Sequence, residues 1–461
     1  MSGIVRYGSY IPYFRLARSA IGAGKGERAT ASYDEDSVSM GVEAAREALR
    51  GAAPPAALVF ATTSPPYAEK LNAATLQAAC ALPESLRSLE LGATSRAGLS
   101  SLWLAADMAQ AGTRTLCVAS DVVVGAPGGA RESGGGDAAA AFVLGDETEA
   151  GARLIGRAAA TQELLDVWRL PDEPFAHQWE VRFGAEIATA LLVDAAERAL
   201  KDAGVQPSDL KLTILDGTNP RALAAIPRAL GLKPEQVADG LADSVGRCGA
   251  AHACLLLARA LDAAAPGDRI LVLSAADGCD AVVLEVTGRI ADCRPAHTVD
   301  AWIASKRDDL AYLSYLKWRG VLPFEPPRRP DPERPAAPPS RRAEAWKFSY
   351  VGSRCRACGA GHLPPQRVCV KCAAVDQMDP EPYAEVPCRV ATFTLDHLAY
   401  TLQPPVVAAI LDYEGGGRTN GQLTDVDPSV VEIGMELEMT FRRLFTGQGV
   451  HNYFWKARPR R

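Results

Sequence analysis

The sequence predicts a layered α/β domain built from two similar halves, followed by a four-cysteine zinc ribbon and a small β-barrel. Three observations carry this. A helix–strand order occurs twice, 151 residues apart; two Cys-x2-Cys knuckles stand near the C-terminus; and residues 389–456 alternate in strand fashion.

The duplication is read from two octets. Val42-Glu-Ala-Ala-Arg-Glu-Ala-Leu49 resembles Val193-Asp-Ala-Ala-Glu-Arg-Ala-Leu200, each with apolar residues at helical spacing and charges opposite. Each octet precedes a β-rich run ending in a turn, LVFATTSPP from Leu58 and LTILDGTNP from Leu212. Two Ala/Leu-rich helices, over 98–111 and 249–265, then lead into the apolar strands 115–120 and 269–274. Alternation of this kind implies α/β layers, and continuous apolar strands fit a sheet covered on both faces. The expected organisation is two halves over 1–165 and 166–290, a docking helix with Pro-rich linker over 291–347, a ribbon over 348–380 and a barrel over 381–461.

The chain has 461 residues, 48% of them hydrophobic, which suffices for two or three folding units. Its net charge of −6 gives no global attraction to nucleic acid. The start, MSGIVRYGSYIPYF, lacks the pattern of a secretory signal, and no apolar run is long enough to span a bilayer. A cytoplasmic, soluble protein is expected.

Residues 306–320, with Tyr312, Tyr315 and Trp318 at near-helical spacing, read as a docking helix. The run PFEPPRRPDPERPAAPP over 323–339 holds eight prolines and reads as a semi-rigid, extended linker without helix. Beyond the ribbon, strands are expected over 389–395, 406–413 and 437–443, with turns such as Glu414-Gly-Gly-Gly417, which suits a barrel of the OB type.

Eleven cysteines, an odd number, argue against a fully paired disulfide framework. Those at 80, 117, 248, 254, 279 and 293 sit in mostly apolar context and read as buried small hydrophobes. Cys355-x2-Cys358 and Cys369-x2-Cys372 form two tight knuckles that together supply four thiolates to a tetrahedral zinc. All four positions are filled, so the metal should be structural. Cys388 is spare, and His362 reads as a surface residue of the intervening hairpin. Arg354, Arg356, Arg367 and Lys371 read as a solvated face or as contacts for an anion such as a nucleotide diphosphate.

With these residues laid out, the first 290 residues resemble the archaeal and bacterial 3-hydroxy-3-methylglutaryl-CoA synthase family, which has the thiolase fold. The carrying segments are Gly3-Ile-Val-Arg-Tyr-Gly-Ser-Tyr-Ile-Pro12, Tyr33-Asp-Glu-Asp36, Met40-Gly-Val-Glu-Ala-Ala-Arg46, Pro66-Tyr-Ala68, Trp168-Arg169 and Ala265-Pro-Gly-Asp-Arg-Ile-Leu271. The last 120 residues are similar to the rubredoxin-like zinc-ribbon/OB proteins that accompany thiolase-like enzymes. That match rests on the four knuckle cysteines, Gly359 and Pro364-Pro365. The resemblance implies a CoA thioester as substrate and a homodimer.

The functional positions depart from the family. Its cysteine nucleophile belongs in the segment Leu91-Gly-Ala-Thr-Ser-Arg-Ala-Gly98, which contains none. Its acid/base glutamate is replaced by Thr63, its histidine falls at or beside Asp216, and its asparagine corresponds to Arg247. Arg96 and Arg247 occupy equivalent places in the two halves, at the starts of the inner helices. Cations there are unfavourable without an anion between them. They read either as a cradle for a carboxylate or the CoA pyrophosphate, or as partners of neighbouring carboxylates. Cys248 is an alternative nucleophile, His252 a general acid/base or a core histidine, and Asp216 a base.

Sterol side-chain aldolases are similar in fold, lack the nucleophile and work with a zinc-ribbon/OB partner. The leading expectation is therefore an acyl-CoA enzyme that makes or breaks a C–C bond without the usual cysteine, of retro-aldol type, its barrel helping to hold the CoA arm. A synthase or acyltransferase using Cys248 is the second. A non-catalytic acyl-CoA-binding scaffold for a thiolase partner is the third.

Overall fold

A computed structural model describes residues 2–325 and 332–461. It forms two compact units: Met1–Ala31, Asp36–Ala74 and Pro83–Tyr312 make the first, and Ser32–Glu35, Thr75–Leu82 and Leu313–Arg461 the second.

The first unit is organised on a nine-stranded sheet. In chain order its strands are β1 (Ser2–Tyr10), β2 (Ala57–Ala61), β3 (Arg87–Leu91), β4 (Thr115–Asp121), β5 (Ala138–Asp146), β6 (Ala152–Thr161), β7 (Leu212–Gly217), β8 (Arg269–Ala275) and β9 (Gly278–Val286). They lie in the order β7-β8-β9-β6-β1-β5-β4-β2-β3. The pattern is nearly palindromic about β6 and β1. Parallel pair β7–β8 mirrors parallel pair β2–β4, and antiparallel hairpin β8–β9 mirrors β4–β5. The duplication read from the octets is thus a duplication of the sheet, with β3 added at one edge.

The helices follow the same symmetry. Their ranges are α1 (Ser37–Leu49), α2 (Ala97–Gln110), α3 (Val181–Ala203) and α4 (His252–Ala263). Asp36 caps α1 through a reciprocal pair with Ser39, each side chain bonding the other's backbone N–H at 2.8–2.9 Å. One face of α3 buries Ala188, Leu192, Ala196 and Ala199 against Leu271, Leu273 and Val283 of the sheet. Helices α2 and α4 are the inner pair, rich in Ala, Gly and Leu on their buried faces. A Cβ on Gly98 would lie 1.8 Å from the Ala250 carbonyl oxygen, so the two helix starts approach as closely as only glycine permits. The second inner helix begins later than the sequence suggests, because a 3-10 turn over Gly249–Ala251 precedes it.

The second unit holds a three-stranded ribbon and a closed barrel. In the ribbon, β10 (Val351–Cys355) pairs with β11 (Gly361–His362) and β12 (Met378–Pro382). The barrel strands are β13 (Cys388–Asp396), β14 (Val406–Tyr413), β15 (Arg418–Leu423), β16 (Glu436–Gly447) and β17 (Val450–Pro459). They close in the order β13-β14-β15-β17-β16. Leu411, Leu437, Phe441 and Trp455 fill the interior. Beside them lies a fully buried ionic cluster: Arg442 meets Glu35 and Asp425 at 2.5 Å, and Lys456 meets Asp34 at 2.8 Å.

Some expectations change. The Pro-rich run carries a short helix, Ala337–Arg342, because Pro338 and Pro339 stand in its first turn, where no amide hydrogen is needed; residues 326–331 of that run lie outside the described residues. The aromatic helix spans only Tyr312–Trp318. His362 is buried, 5% exposed, rather than a surface residue of the hairpin. Strands β15 and β17 were not legible. Among the described residues, no helix is long and apolar enough to cross a membrane.

Candidate active site and metal site

The N-terminal ends of α2 and α4 converge with the C-terminal ends of β2, β4, β7 and β8. Asp121, the last residue of β4, is wholly buried and accepts five hydrogen bonds. They come from Thr62 Oγ1 (2.9 Å), Thr63 N (2.7 Å), Thr63 Oγ1 (2.8 Å), Ser64 Oγ (2.8 Å) and Ala250 N (2.6 Å). Gly249, at φ +52°, lets the carboxylate in, since a Cβ there would lie 2.1 Å from Asp121 Oδ2. Thr63 supplies two of these donors, its amide and its hydroxyl.

Asp216 and Arg247 are brought together. Asp216 Oδ1 lies 3.1 Å from Arg247 Nη2, and Oδ2 accepts from Ser274 Oγ at 3.0 Å. Asp216 is fully buried, whereas the Arg247 side chain is 35% exposed. Arg96 is directed elsewhere. It donates to the Ala160 carbonyl at 2.9 Å and to Thr161 Oγ1 at 3.3 Å, and its Nε stands 3.9 Å from Asp280, which also accepts from Ser100 at 2.5 Å. Each arginine therefore has its own carboxylate.

Cys248 is fully buried, its Sγ 3.3 Å from the Gly246 carbonyl. Burial pushes its thiol well up, with Asp137, Asp121 and Asp216 adding to the shift against Arg28, so the thiolate is strongly disfavoured. His252 is also buried, and desolvation lowers its pKa to about 4 despite the opposing field of Asp216. It is a neutral imidazole at neutral pH.

Several buried polar atoms here have no hydrogen-bond partner among the described residues: Thr94 Oγ1, Ser95 Oγ, Arg96 Nε, Ser120 Oγ, Arg247 Nε and His252 Nδ1. Ala93, just before them, is held at φ 71°, a left-handed conformation costly for alanine. Unsatisfied buried groups cost about 1–3 kcal/mol each, so their concentration marks a centre built to receive polar atoms from elsewhere. A shallow pocket opens beside it, lined by Gly217, Thr218, Asn219, Ala275, Ala276 and Asp277 among others. Sequence reasoning missed Asp121 and the Thr62–Ser64 hydroxyls. The only available signal was that TTS ends the first-half run where DGT ends the second.

In the ribbon, the sulfurs of Cys355, Cys358, Cys369 and Cys372 lie within 4.8 Å of one another. Closest are Cys355–Cys372 at 3.7 Å and Cys358–Cys369 at 3.5 Å, and the Lys371 and Cys372 amides point at Cys369 Sγ from 3.4 and 3.5 Å. Four thiol groups so spaced fit a tetrahedral ion with bonds of about 2.3 Å.

A duplicated sheet, two buried helices and a polar centre at their N-termini define a thiolase-like protein. Residues 200–286 match the model for the C-terminal domain of 3-oxoacyl-[acyl-carrier-protein] synthase III, and residues 388–442 match the model for the ChsH2 C-terminal OB-fold domain. Solved structures agree on the fold. An HMG-CoA synthase complexed with CoA superposes with a TM-score of 0.59 at 15% identity, over 68% of this chain and 89% of that one. The synthase III of Aquifex aeolicus gives 0.55 at 20% identity, over 62% and 100%. The hydroxymethylglutaryl-CoA synthase of Aeropyrum pernix is 31% identical over 343 residues, 70% of this chain and 95% of that protein, and that of Methanopyrus kandleri is 29% identical over 70% and 98%. The chain belongs to the hydroxymethylglutaryl-CoA synthase family.

Proposed function

We propose that the chain acts on CoA thioesters, making or breaking a C–C bond without a cysteine nucleophile, by retro-aldol chemistry or its reverse. The observation that carries this reading is the start of α2. Thr94, Ser95 and Arg96 stand there without a thiol, and they leave buried polar atoms unsatisfied. Such a centre retains the means to bind a polar ligand but not to form a thioester with it. In cleavage, Asp216 accepts the β-hydroxyl proton. The Cα–Cβ electron pair moves into the thioester as an enolate, a carbonyl product departs, and the enolate is reprotonated at Cα. His252, neutral at neutral pH, is a further proton acceptor on the same side. Arg247 orients Asp216 through a contact of 3.1 Å.

The same reading includes a structural zinc held by Cys355, Cys358, Cys369 and Cys372. That ion would tie the ribbon strands together and supply no step of the reaction. A homodimer and a thiolase partner are parts of the proposal that rest on resemblance. Incubation with panels of β-hydroxyacyl- and β-ketoacyl-CoA tests it: cleavage or condensation supports it, and absence of both turnover and CoA binding overturns it.

A synthase using Cys248 is disfavoured by the burial of that thiol. A non-catalytic acyl-CoA scaffold is favoured by the Asp216–Arg247 pair, which ties up both groups. Co-purification with an active thiolase, with no activity alone, would support that second reading.

A further inference from the structure

The shallow pocket beside Asp216 is walled mainly by hydrocarbon. Leu164, Ala188, Leu191, Leu192, Ala222 and Leu223 line it, and so does Gly217, the residue that follows Asp216. Gly278 lines it too, and a Cβ there would stand 2.4 Å from Arg96 Nη1, so the pocket adjoins the start of α2. Three polar side chains in its wall are already engaged. Thr218 Oγ1 donates to Asp166. Asn219 accepts from the Arg221 and Ala222 amides at 3.1 and 3.2 Å and donates to the Val181 carbonyl at 2.9 Å. What these leave for a ligand is largely apolar surface.

That surface continues outward along the segment leading into α3. Trp179 and Phe183 meet edge to face at 5.5 Å, and they are 46% and 54% exposed. Their segment is fixed to the pocket wall at two points: the Trp179 N–H donates to the Asp166 carbonyl at 2.9 Å, and Asn219 holds the Val181 carbonyl. Phe183 stands two turns ahead of the pocket-lining Leu191 on α3, with Ile187 between them. Leu165, beside the pocket-lining Leu164, is exposed as well. Large apolar side chains left in water and continuous with an apolar pocket mark a ligand surface. The charge at its rim is negative. Burial raises the pKa of the pocket-lining Asp277, Arg96 opposes that, and Asp166 and Glu163 add to it.

We propose that this surface seats the hydrocarbon part of the acyl group, so that the substrate is a CoA thioester with an extended apolar acyl chain and no carboxylate at its far end. This rests on the acyl-CoA reading and names the substrate class within it. The acyl chain is the occupant because a thioester whose β-hydroxyl meets Asp216 carries its next carbons toward Gly217 and Gly278, which open the pocket. A chain that ended in its own carboxylate would meet Asp277 and the neighbouring Asp166 and Glu163 without a new cation to pair with.

Calorimetric titration of the full chain with unreactive thioethers tests this, using S-methyl-CoA, S-hexyl-CoA and S-(ω-carboxypentyl)-CoA. Full burial of a methylene strengthens binding about fourfold, so even partial cover should make S-hexyl-CoA bind about tenfold or more tighter than S-methyl-CoA. The carboxypentyl compound, of similar length, should lose most of that gain. Trp179→Ala combined with Phe183→Ala should reduce the hexyl gain to about threefold or less, with S-methyl-CoA affinity kept and the melting temperature unchanged, since both side chains are half exposed. Native affinity that ignores chain length, or equal affinity for the hexyl and carboxypentyl compounds, would overturn this inference and leave the acyl-CoA reading standing. A change of oligomeric state in the double variant, measured by sedimentation, with the hexyl gain intact would assign the aromatic pair to a subunit contact and also overturn it. Binding of none of the three compounds would overturn the acyl-CoA reading and this inference together.

Discussion

The Ala250 backbone N–H donates to Asp121 Oδ2 at 2.6 Å, joining the end of the fourth strand to the turn that opens the second inner helix. Four further donors from the Thr62–Ser64 loop converge on the same carboxylate. Asp121→Ala would leave them without this acceptor, Thr62 Oγ1 and the Ala250 N–H in fully buried surroundings, and should cost about 3–5 kcal/mol. Gly249→Ala should also destabilise strongly, since its new methyl contests the same oxygen at a positive φ. Urea denaturation checks both: a lowered midpoint at unchanged slope is expected.

His252 makes stability fall on mild acidification. Its folded pKa is depressed to about 4 by burial, whereas the unfolded chain protonates near the ordinary value of 6.5. Below about pH 6.5 the unfolded state gains a proton that the folded state refuses, so this contribution is present at neutral pH and is lost progressively until about pH 4. The full loss is on the order of 3 kcal/mol. His252→Gln should flatten the pH dependence of the denaturation midpoint across that window. An unchanged slope would show that the imidazole is not desolvated.

Much of this architecture was legible because it repeats. Gly98 and Gly249 stand 151 positions apart and both serve a close approach, and the flanking apolar strands became equivalent members of one sheet. The four knuckle cysteines were legible because metal ligation constrains spacing directly. The candidate site was legible only through residues in motif positions, Asp216, Arg247, Cys248 and His252. Asp121 was hidden because its role comes from partners distant in sequence. Arg96 and Arg247, equivalent in the repeat, diverge in structure because the nearest carboxylate is Asp280 for one and Asp216 for the other. The barrel strand Arg418–Leu423 escaped notice because RTNGQL carries little apolar alternation, and its place in the sheet is set by backbone pairing with Val406–Tyr413.

Removing one knuckle cysteine should unfold the ribbon. Cys355 and Cys369 are buried where a structural ion would tie three short strands together. Cys358→Ser should lower bound zinc from one equivalent per chain, measured by atomic emission, and expose the ribbon to limited proteolysis. A protein that binds no metal yet keeps the ribbon protease-resistant would contradict the structural role.

The barrel unit should respond to stronger acid than His252 does. Burial raises the Asp34 pKa, but Lys456 and Arg442 outweigh it, and the carboxyl ends lowered to about 2. Its stabilising contribution is therefore present above the ordinary value near 4 and is lost as pH falls toward 2. Asp34→Asn would remove the charge that Lys456 meets at 2.8 Å, leaving a buried ammonium uncompensated, at a cost of about 3–5 kcal/mol. Hydrogen exchange in the barrel strands should accelerate in this variant at neutral pH. Lys456→Met paired with Asp34→Asn should recover part of the loss, since no buried ammonium is then left unpaired.

The Asp216–Arg247 pair decides between an enzyme and a scaffold. If Arg247 orients a working base, Arg247→Lys should lower kcat more than it raises KM, because a less directional cation positions the Asp216 carboxylate less firmly. Asp216→Asn should abolish turnover while CoA-thioester affinity persists. If the pair only closes the centre, both variants should leave binding intact and no turnover will exist to lose. A double-mutant cycle on stability should give a coupling of about 1 kcal/mol in either case, because solvent at the half-open guanidinium screens the interaction. Stability therefore cannot distinguish the two roles, and kcat can.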